Sequence, residues 1–143
     1  MRTSHIKRAM SVHPKTKGIF GGVFARNRVP KRIPAKTVAY IVNTDPDHKP
    51  GQHWIALYIT KQTVYYFDPY GLPPQGFHHI RKWRKRMQYF KQRLQGRGRM
   101  CGHYCLYFIL STQMNLSFDV FGSDLNANDR LVYRLVKRHL PIK

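Results

Sequence analysis

The sequence predicts an α+β fold, a small mixed or antiparallel sheet packed with helices, in one domain spanning residues 1–143. Three observations predict it. Strand-like apolar runs crowd the middle of the chain, at Val38–Val42, Trp54–Ile59 and Val64–Phe67. Helical spacing is confined to the flanks, so the two kinds of element are segregated. A chain of 143 residues that is 42% apolar suits one domain with a modest core.

Residues 1–17 are polar and basic, and Ile6, Ala9, Met10 and Val12 are spaced for a short, weakly amphipathic helix, a basic N-terminal helix or arm. Gly18, Gly21 and Gly22 break any helix there, as a glycine turn entering the fold, and residues 26–34 read as an irregular loop. Val38–Val42 is apolar and β-branched, a buried strand. Asn43 to Gly51, with Asp45-Pro46 and Pro50-Gly51, is a turn region. Trp54–Ile59 and Val64–Phe67, joined by a short polar connection, form a hairpin without the favoured Asn-Gly turn. Pro69, Gly71, Pro73, Pro74 and Gly76 end the sheet segment. Residues 77–94 read as a basic helix that His78-His79 cap or precede and that Gly96 and Gly98 stop. Cys101, Tyr104, Cys105, Phe108 and Ile109 then follow helical spacing with one face buried. A last helix runs from about Asp129 to His139, with Leu131, Val132, Leu135 and Val136 inward, Asn126 or Asn128 as N-cap and Pro141 after its end.

The charge is lopsided. Lys and Arg number 26 against 6 acids, all aspartates, for a formal charge of +20. Such a surface repels itself unless polyanions are near, and nucleic acid phosphate is the obvious counter-charge. The densest run is Arg81, Lys82, Arg84, Lys85 and Arg86, continuing through Lys91, Arg93, Arg97 and Arg99, with no acid among them. No motif for sequence-specific readout is present, so the expected contact is with the phosphate backbone of DNA. The aromatic content of 13% excludes a disordered basic tail. No apolar run approaches the roughly 20 residues of a spanning helix, so no membrane partner is expected. No signal segment follows Arg2, Lys7 and Arg8, and two cysteines make no disulfide framework, which favours a reducing intracellular compartment.

Four residues carry a chemical pattern. His53 opens one strand of the hairpin and Asp68 closes the other, so antiparallel pairing brings imidazole and carboxylate to one end of the sheet. Cys101 follows a glycine-rich basic loop and opens an apolar helix, whose free N–H groups favour a thiolate. Gly102 removes bulk where a substrate carbonyl would approach, and Gln95 can donate an amide N–H to an oxyanion. Cysteine acyl transfer needs each of these parts. Cys105, one turn on, reads as a core residue, and Cys101, His103 and Cys105 lack the spacing of a metal site. Phe67 and the tyrosines at 65, 66, 104 and 107 read as core and sheet packing.

The strings His53-Trp54, Phe67-Asp68-Pro69-Tyr70-Gly71 and Gln95-Gly96 to Cys101-Gly102 resemble the endopeptidase family of adenoviruses, within the superfamily that includes the SUMO-deconjugating proteases. The resemblance covers roughly residues 18–140. It implies a permuted papain-like cysteine protease fold. His53 would be the general base, Asp68 its orienting carboxylate, Cys101 the nucleophile and Gln95 an oxyanion donor, with Trp54 flanking the site. It further implies cleavage at Gly-Gly-like sites in virion precursor proteins, in the virion and host nucleus, with DNA as an activating cofactor. Two departures lean toward the SUMO-protease side: Asp68 stands where adenovirus enzymes carry Glu, and the Gln–Cys spacing is one residue shorter. The adenovirus activating peptide is held by a disulfide in a longer segment. No cysteine lies between Asp68 and Cys101, so an activating peptide here would bind without that bond.

Alternatives stay open at this point. They are a protease that removes ubiquitin-like modifiers, a basic DNA-binding protein with an inert hydrolase site and, more distantly, an acetyltransferase using the same dyad. Ile19-Phe20-Gly21-Gly22-Val23 also resembles the family's substrates, which raises self-cleavage after Gly22 as a further expectation to test.

Overall fold

The computed structural model describes residues 1–45 and 53–142. Helix α1 (Thr3–Val12) leads into strand β1 (Phe20–Ala25), a short 3-10 turn (Arg26–Arg28), and strands β2 (Val38–Asn43), β3 (Trp54–Ile59) and β4 (Thr63–Phe67). A single helical turn α2 (His78–Arg81), strand β5 (Arg86–Tyr89) and helices α3 (Cys101–Gln113) and α4 (Leu125–His139) follow. The sheet is mixed, in the order β1-β2-β3-β4-β5, with parallel outer pairs and antiparallel inner ones. The expected turn between β2 and β3 lies for residues 46–52 outside the described residues.

Period-two alternation gives the sheet two buried faces. Ala39, Ile41, Ala56 and Phe67 point to a core shared with α1, α3 and α4. Tyr40, Val42, Ile55, Leu57, Ile59, Val64 and Tyr66 point the other way, to Val29, Phe77 and Ile80. The loop after β1 and the segment around the single turn of α2 thus cover the second face, whereas α1, α3 and α4 pack on the first. On the first face, Phe67 stacks on Phe108 of α3 at 4.7 Å between ring centroids. α3 is buried nearly all round, at Gly102 through Tyr107 and at Ile109 and Leu110, rather than along one stripe. Sheet, α1 and α4 enclose it from several sides.

Four expectations are corrected. Residues 77–94 are not one helix: α2 ends after four residues, Arg84 takes a left-handed φ of 57°, and Arg86–Tyr89 pair with β4. Lys, Arg, Met and Gln favour helices, but Met87 and Tyr89 alternate inward between exposed Arg86 and Gln88, and the free edge of β4 supplies the hydrogen bonds. The glycine turn at Gly21-Gly22 is instead strand β1, bulged between Phe20 and Gly22. Gly21 is needed there, because a Cβ would lie 2.4 Å from Val38 Cγ2 and 2.5 Å from Tyr40 Cε1. A cut after Gly22 would therefore require peeling β1 from β2. Finally, α4 begins at Leu125, capped by the Asp124 carboxylate accepting from Ala127 N–H at 3.1 Å, so neither Asn126 nor Asn128 is its N-cap.

α1 is part of the core: Ile6, Ala9 and Met10 are fully buried, while Val12 is 56% exposed. Ile6→Ala should cost about 2–5 kcal/mol of unfolding free energy, the usual range for a truncated core side chain. Val12→Ala should stay within about 0.5 kcal/mol. Urea unfolding of the two variants checks both; an Ile6→Ala protein as stable as the parent would detach α1 from the fold.

Candidate active site

Register builds the site. Ala56 pairs with Phe67 across β3 and β4, so His53 just before β3 and Asp68 just after β4 meet at one sheet end. The His53 Nε2 lies 2.8 Å from Asp68 Oδ1. Asp68 is 5% exposed, and the same oxygen accepts the Tyr70 backbone N–H at 2.8 Å. With that turn closed by Gly71 N–H on the Asp68 carbonyl at 2.7 Å, the carboxylate is held through backbone groups as well as through the imidazole. Tyr70 then stacks on His53 at 4.7 Å between centroids and 25° between planes. Arg93 lies over the outer side of Tyr70 at 5.2 Å, and its Nε donates to the Gln95 carbonyl at 3.0 Å. Gly71, at φ 72°, lets the chain from Gln92 to Arg93 press close, since a Cβ there would sit 2.7 Å from the Gln92 carbonyl carbon.

Cys101 enters from the opposite side. It is the first residue of α3, where the helix's leading N–H groups have no intrahelical acceptor. Hydrogen bonding with the His53 side chain and with the backbone at Trp54 and Gly102 favours its thiolate form. With Nε2 on Asp68, the imidazole nitrogen left for the thiol is Nδ1. Burial by itself raises the thiol pKa, but these hydrogen bonds and the His53 charge outweigh it and the value is lowered. Burial by itself lowers the His53 pKa, but hydrogen bonds to Asp68 and Cys101, with their charges, raise it to about 9. Both shifts favour a thiolate–imidazolium pair at neutral pH. Cys105 is fully buried, and burial pushes its thiol well up, so it is inert by comparison.

The loop between Gln95 and Cys101 is held by a residue that sequence reasoning assigned to a helix start. Asp129, on α4 and 7% exposed, accepts Gly96 N–H (3.1 Å to Oδ1), Gly98 N–H (3.2 Å to Oδ2) and the Tyr104 hydroxyl (2.7 Å). Its neighbour Asn128 donates to the carbonyls of Leu94 at 3.2 Å and Gly122 at 2.9 Å. Gly96 and Gly98 are glycines because a Cβ on either would lie within 3.1 Å of the Asp129 carboxylate. The only sequence signal was one aspartate at the inward edge of an amphipathic helix in a chain nearly devoid of acids. Gln95 is 2% exposed, and its Nε2 donates to the Gly98 carbonyl at 2.9 Å. A flipped amide would set oxygen against oxygen, so the orientation is fixed and one N–H remains for an oxyanion. Its Oε1 is buried without a partner.

The remaining sequence-derived residues separate. Trp54 flanks the site, its Nε1 donating to the Met1 carbonyl at 3.4 Å. The space beside Gly102 is taken by Met1 and Trp54, whose atoms would lie 3.1 Å and 3.5 Å from a Cβ there. The basic run divides in two. Because β5 runs parallel to β4, Arg84, Lys85 and Arg86 gather at the sheet end away from Asp68, whereas Arg81 Nη2 donates to the Pro74 carbonyl at 3.3 Å. Lys85 Nζ is committed there to the Thr60 carbonyl at 2.7 Å. Lys91, Arg93, Arg97 and Arg99 return toward the catalytic end, where Arg93 supports Tyr70. Among the described residues no group of His, Cys, Asp and Glu could hold a metal ion.

Compared with solved structures, the chain resembles the ASFV pS273R protease. One crystal structure gives a TM-score of 0.60 at 18% identity, covering 90% of this chain and 62% of that chain. Its selenomethionine form gives 0.50 at 22% identity, covering 78% and 46%. The chain thus spans less than two thirds of that protease's length. No protein-family model and no curated protein sequence matches. The likeness shows the fold alone, a mixed sheet packed with helices in the arrangement of that protease.

Two outcomes follow from this geometry. Iodoacetamide should alkylate Cys101 with a pH midpoint below the ordinary thiol range and leave Cys105 unmodified in the native protein. His53→Ala should move that midpoint upward, and mass spectrometry of the labelled peptides reads both. Asp129→Ala leaves the Gly96 and Gly98 N–H groups without their acceptor, while the Tyr104 hydroxyl keeps the Leu94 carbonyl, and should cost about 1–3 kcal/mol or more in urea unfolding, the buried Gly96 N–H dominating. Asp129→Asn, which keeps one acceptor oxygen, should cost less.

Proposed function

We propose that the chain is a cysteine endopeptidase of the adenovirus type, cutting after Gly-Gly-like sequences in virion precursor proteins and stimulated by DNA. The observation that carries the reading is the row of Cys101 sulfur, His53 imidazole and buried Asp68 carboxylate, with the sulfur at a helix N-terminus. The thiolate attacks the scissile carbonyl carbon, and negative charge moves to its oxygen. The free N–H of Cys101 and the second amide hydrogen of Gln95 are the donors that meet it. His53 then gives its proton to the departing amine, leaving an acyl-thioester on Cys101. The neutral imidazole next takes a proton from water, whose oxygen attacks the thioester and restores the thiolate. Asp68 keeps the ring oriented and its positive form stabilised throughout.

DNA enters through charge. The exposed Arg84 and Arg86 lie at the sheet end remote from Asp68, so a polyanion held there would not cover the cleft. Action in the virion and host nucleus belongs to the same reading, and an activating peptide, if one exists, binds without a disulfide.

The test is hydrolysis of a fluorogenic Gly-Gly peptide with and without duplex DNA. Cys101→Ala should lose activity by on the order of a thousandfold or more while retaining DNA binding. An unchanged rate removes the proposal. The rate should fall at acid pH as the thiolate is protonated, and at alkaline pH as the imidazolium is lost, at about pH 9. Stimulation by DNA should fade steeply with salt and weaken in an Arg84→Ser, Arg86→Ser protein whose Cys101 alkylation is unchanged. Cleavage that requires an intact folded modifier, with short peptides inert, would turn the assignment to a deconjugating enzyme.

A further inference from the structure

A cavity of about 180 Å³ opens beside His53 on the Asp68 side. We propose that it is a subsite for a carboxylate side chain of the substrate, Asp or Glu, on the leaving-amine side of the scissile bond, with Arg26 as its counter-charge. The inference rests on the protease reading above and extends it to substrate selection.

Its polar groups come from Arg26, Thr44, Tyr66 and Gln75 with His53 and Asp68, and apolar side chains between Tyr70 and Phe77 supply the rest of the lining. Arg26 arrives there by construction. It follows β1 directly, and its backbone N–H donates to the Asp45 carbonyl at 3.1 Å, tying the end of β1 to the end of β2. Gly76, at φ 82°, makes room for the guanidinium, because a Cβ there would lie 2.4 Å from Arg26 Nη2. The left-handed backbone there favours glycine, and a side chain would make the guanidinium shift.

The lining favours an acceptor. Arg26 has donors only, and the Tyr66 phenol, held above its ordinary pKa by burial and by nearby Asp68, keeps its proton to donate. Thr44 and Gln75 add a hydroxyl and an amide. Charge points the same way: Arg26 and the imidazolium of His53 stand against the single carboxylate of Asp68. That carboxylate already accepts from His53 and from Tyr70 N–H. A second carboxylate beside Arg26 brings the cavity to balance, whereas a lysine would add a third positive charge.

Position assigns the side of the substrate. The imidazole must reach the departing nitrogen, so the residues that follow the scissile bond cross His53 and pass the mouth of this cavity. The glycines that precede the bond lie on the acyl side and do not enter it.

The experiment uses peptides with a constant Gly-Gly acyl half and Asp, Glu, Asn, Ala or Lys at each of the first two positions after the scissile bond. At one of them the parent protein should cleave Asp or Glu on the order of tenfold faster in kcat/KM than Ala, and Lys more slowly than Ala. Arg26→Ala should abolish the preference, and Arg26→Glu should reverse it in favour of Lys, a gain that misfolding cannot produce. A flat profile, a preference for Asn over Asp, or an acid preference that survives Arg26→Ala overturns the subsite. Binding of the same peptides to Cys101→Ala protein separates the two readings. Acid-selective binding without cleavage by the parent protein overturns the protease assignment and supports the cavity. Cleavage with unselective binding overturns the cavity alone.

Discussion

Everything at the catalytic end turns on the imidazole of His53 held between a buried carboxylate and a thiol. Taken out of water, the imidazole and the thiol would each be pushed toward the neutral form. They are instead pushed toward their charged forms, because the 2.8 Å bond of His53 to Asp68 and the pairing of His53 with Cys101 outweigh desolvation. The register of β3 with β4 sets the first contact, and the packing of α3 across β3 sets the second. A one-residue slip in the hairpin would turn its inward side chains to the other face and break the dyad.

The supporting layer follows from this demand. Tyr70 stacks on the ring, Arg93 lies over Tyr70, and the Arg93 Nε reaches the Gln95 carbonyl. The stack thereby links the dyad to the loop that carries Gln95 and leads to Cys101. From behind, Asp129 and Asn128 grip that loop through backbone groups at Leu94, Gly96 and Gly98. The loop thus has rigid partners on both sides although it has no regular structure of its own.

The scarcity of acids has a structural meaning. Asp68, Asp124 and Asp129 each accept backbone N–H groups at turns, caps and loops. With these carboxylates engaged internally, the exposed cations of the chain find few partners on its own surface. The net charge of +20, set by composition, is therefore little offset at the surface.

Local rules determined the hairpin, the helix that starts at Cys101 and the meeting of His53 with Asp68, because antiparallel pairing converts positions along the chain into positions in space. They also determined the excess charge. They did not determine β1 or β5. Gly21 is in a strand because β1 pairs with β2, where Val38 and Tyr40 leave room for no side chain, and Arg86–Tyr89 is in a strand because the edge of β4 supplies a partner. Nor did they single out Asp129 as the clamp, or Arg26 beside the dyad. Both act on residues remote in sequence, and a contact between distant residues leaves no period or spacing to read. Only the packed structure, which brings α4 against the loop at Gly96 and the end of β1 against Gly76, decided those roles.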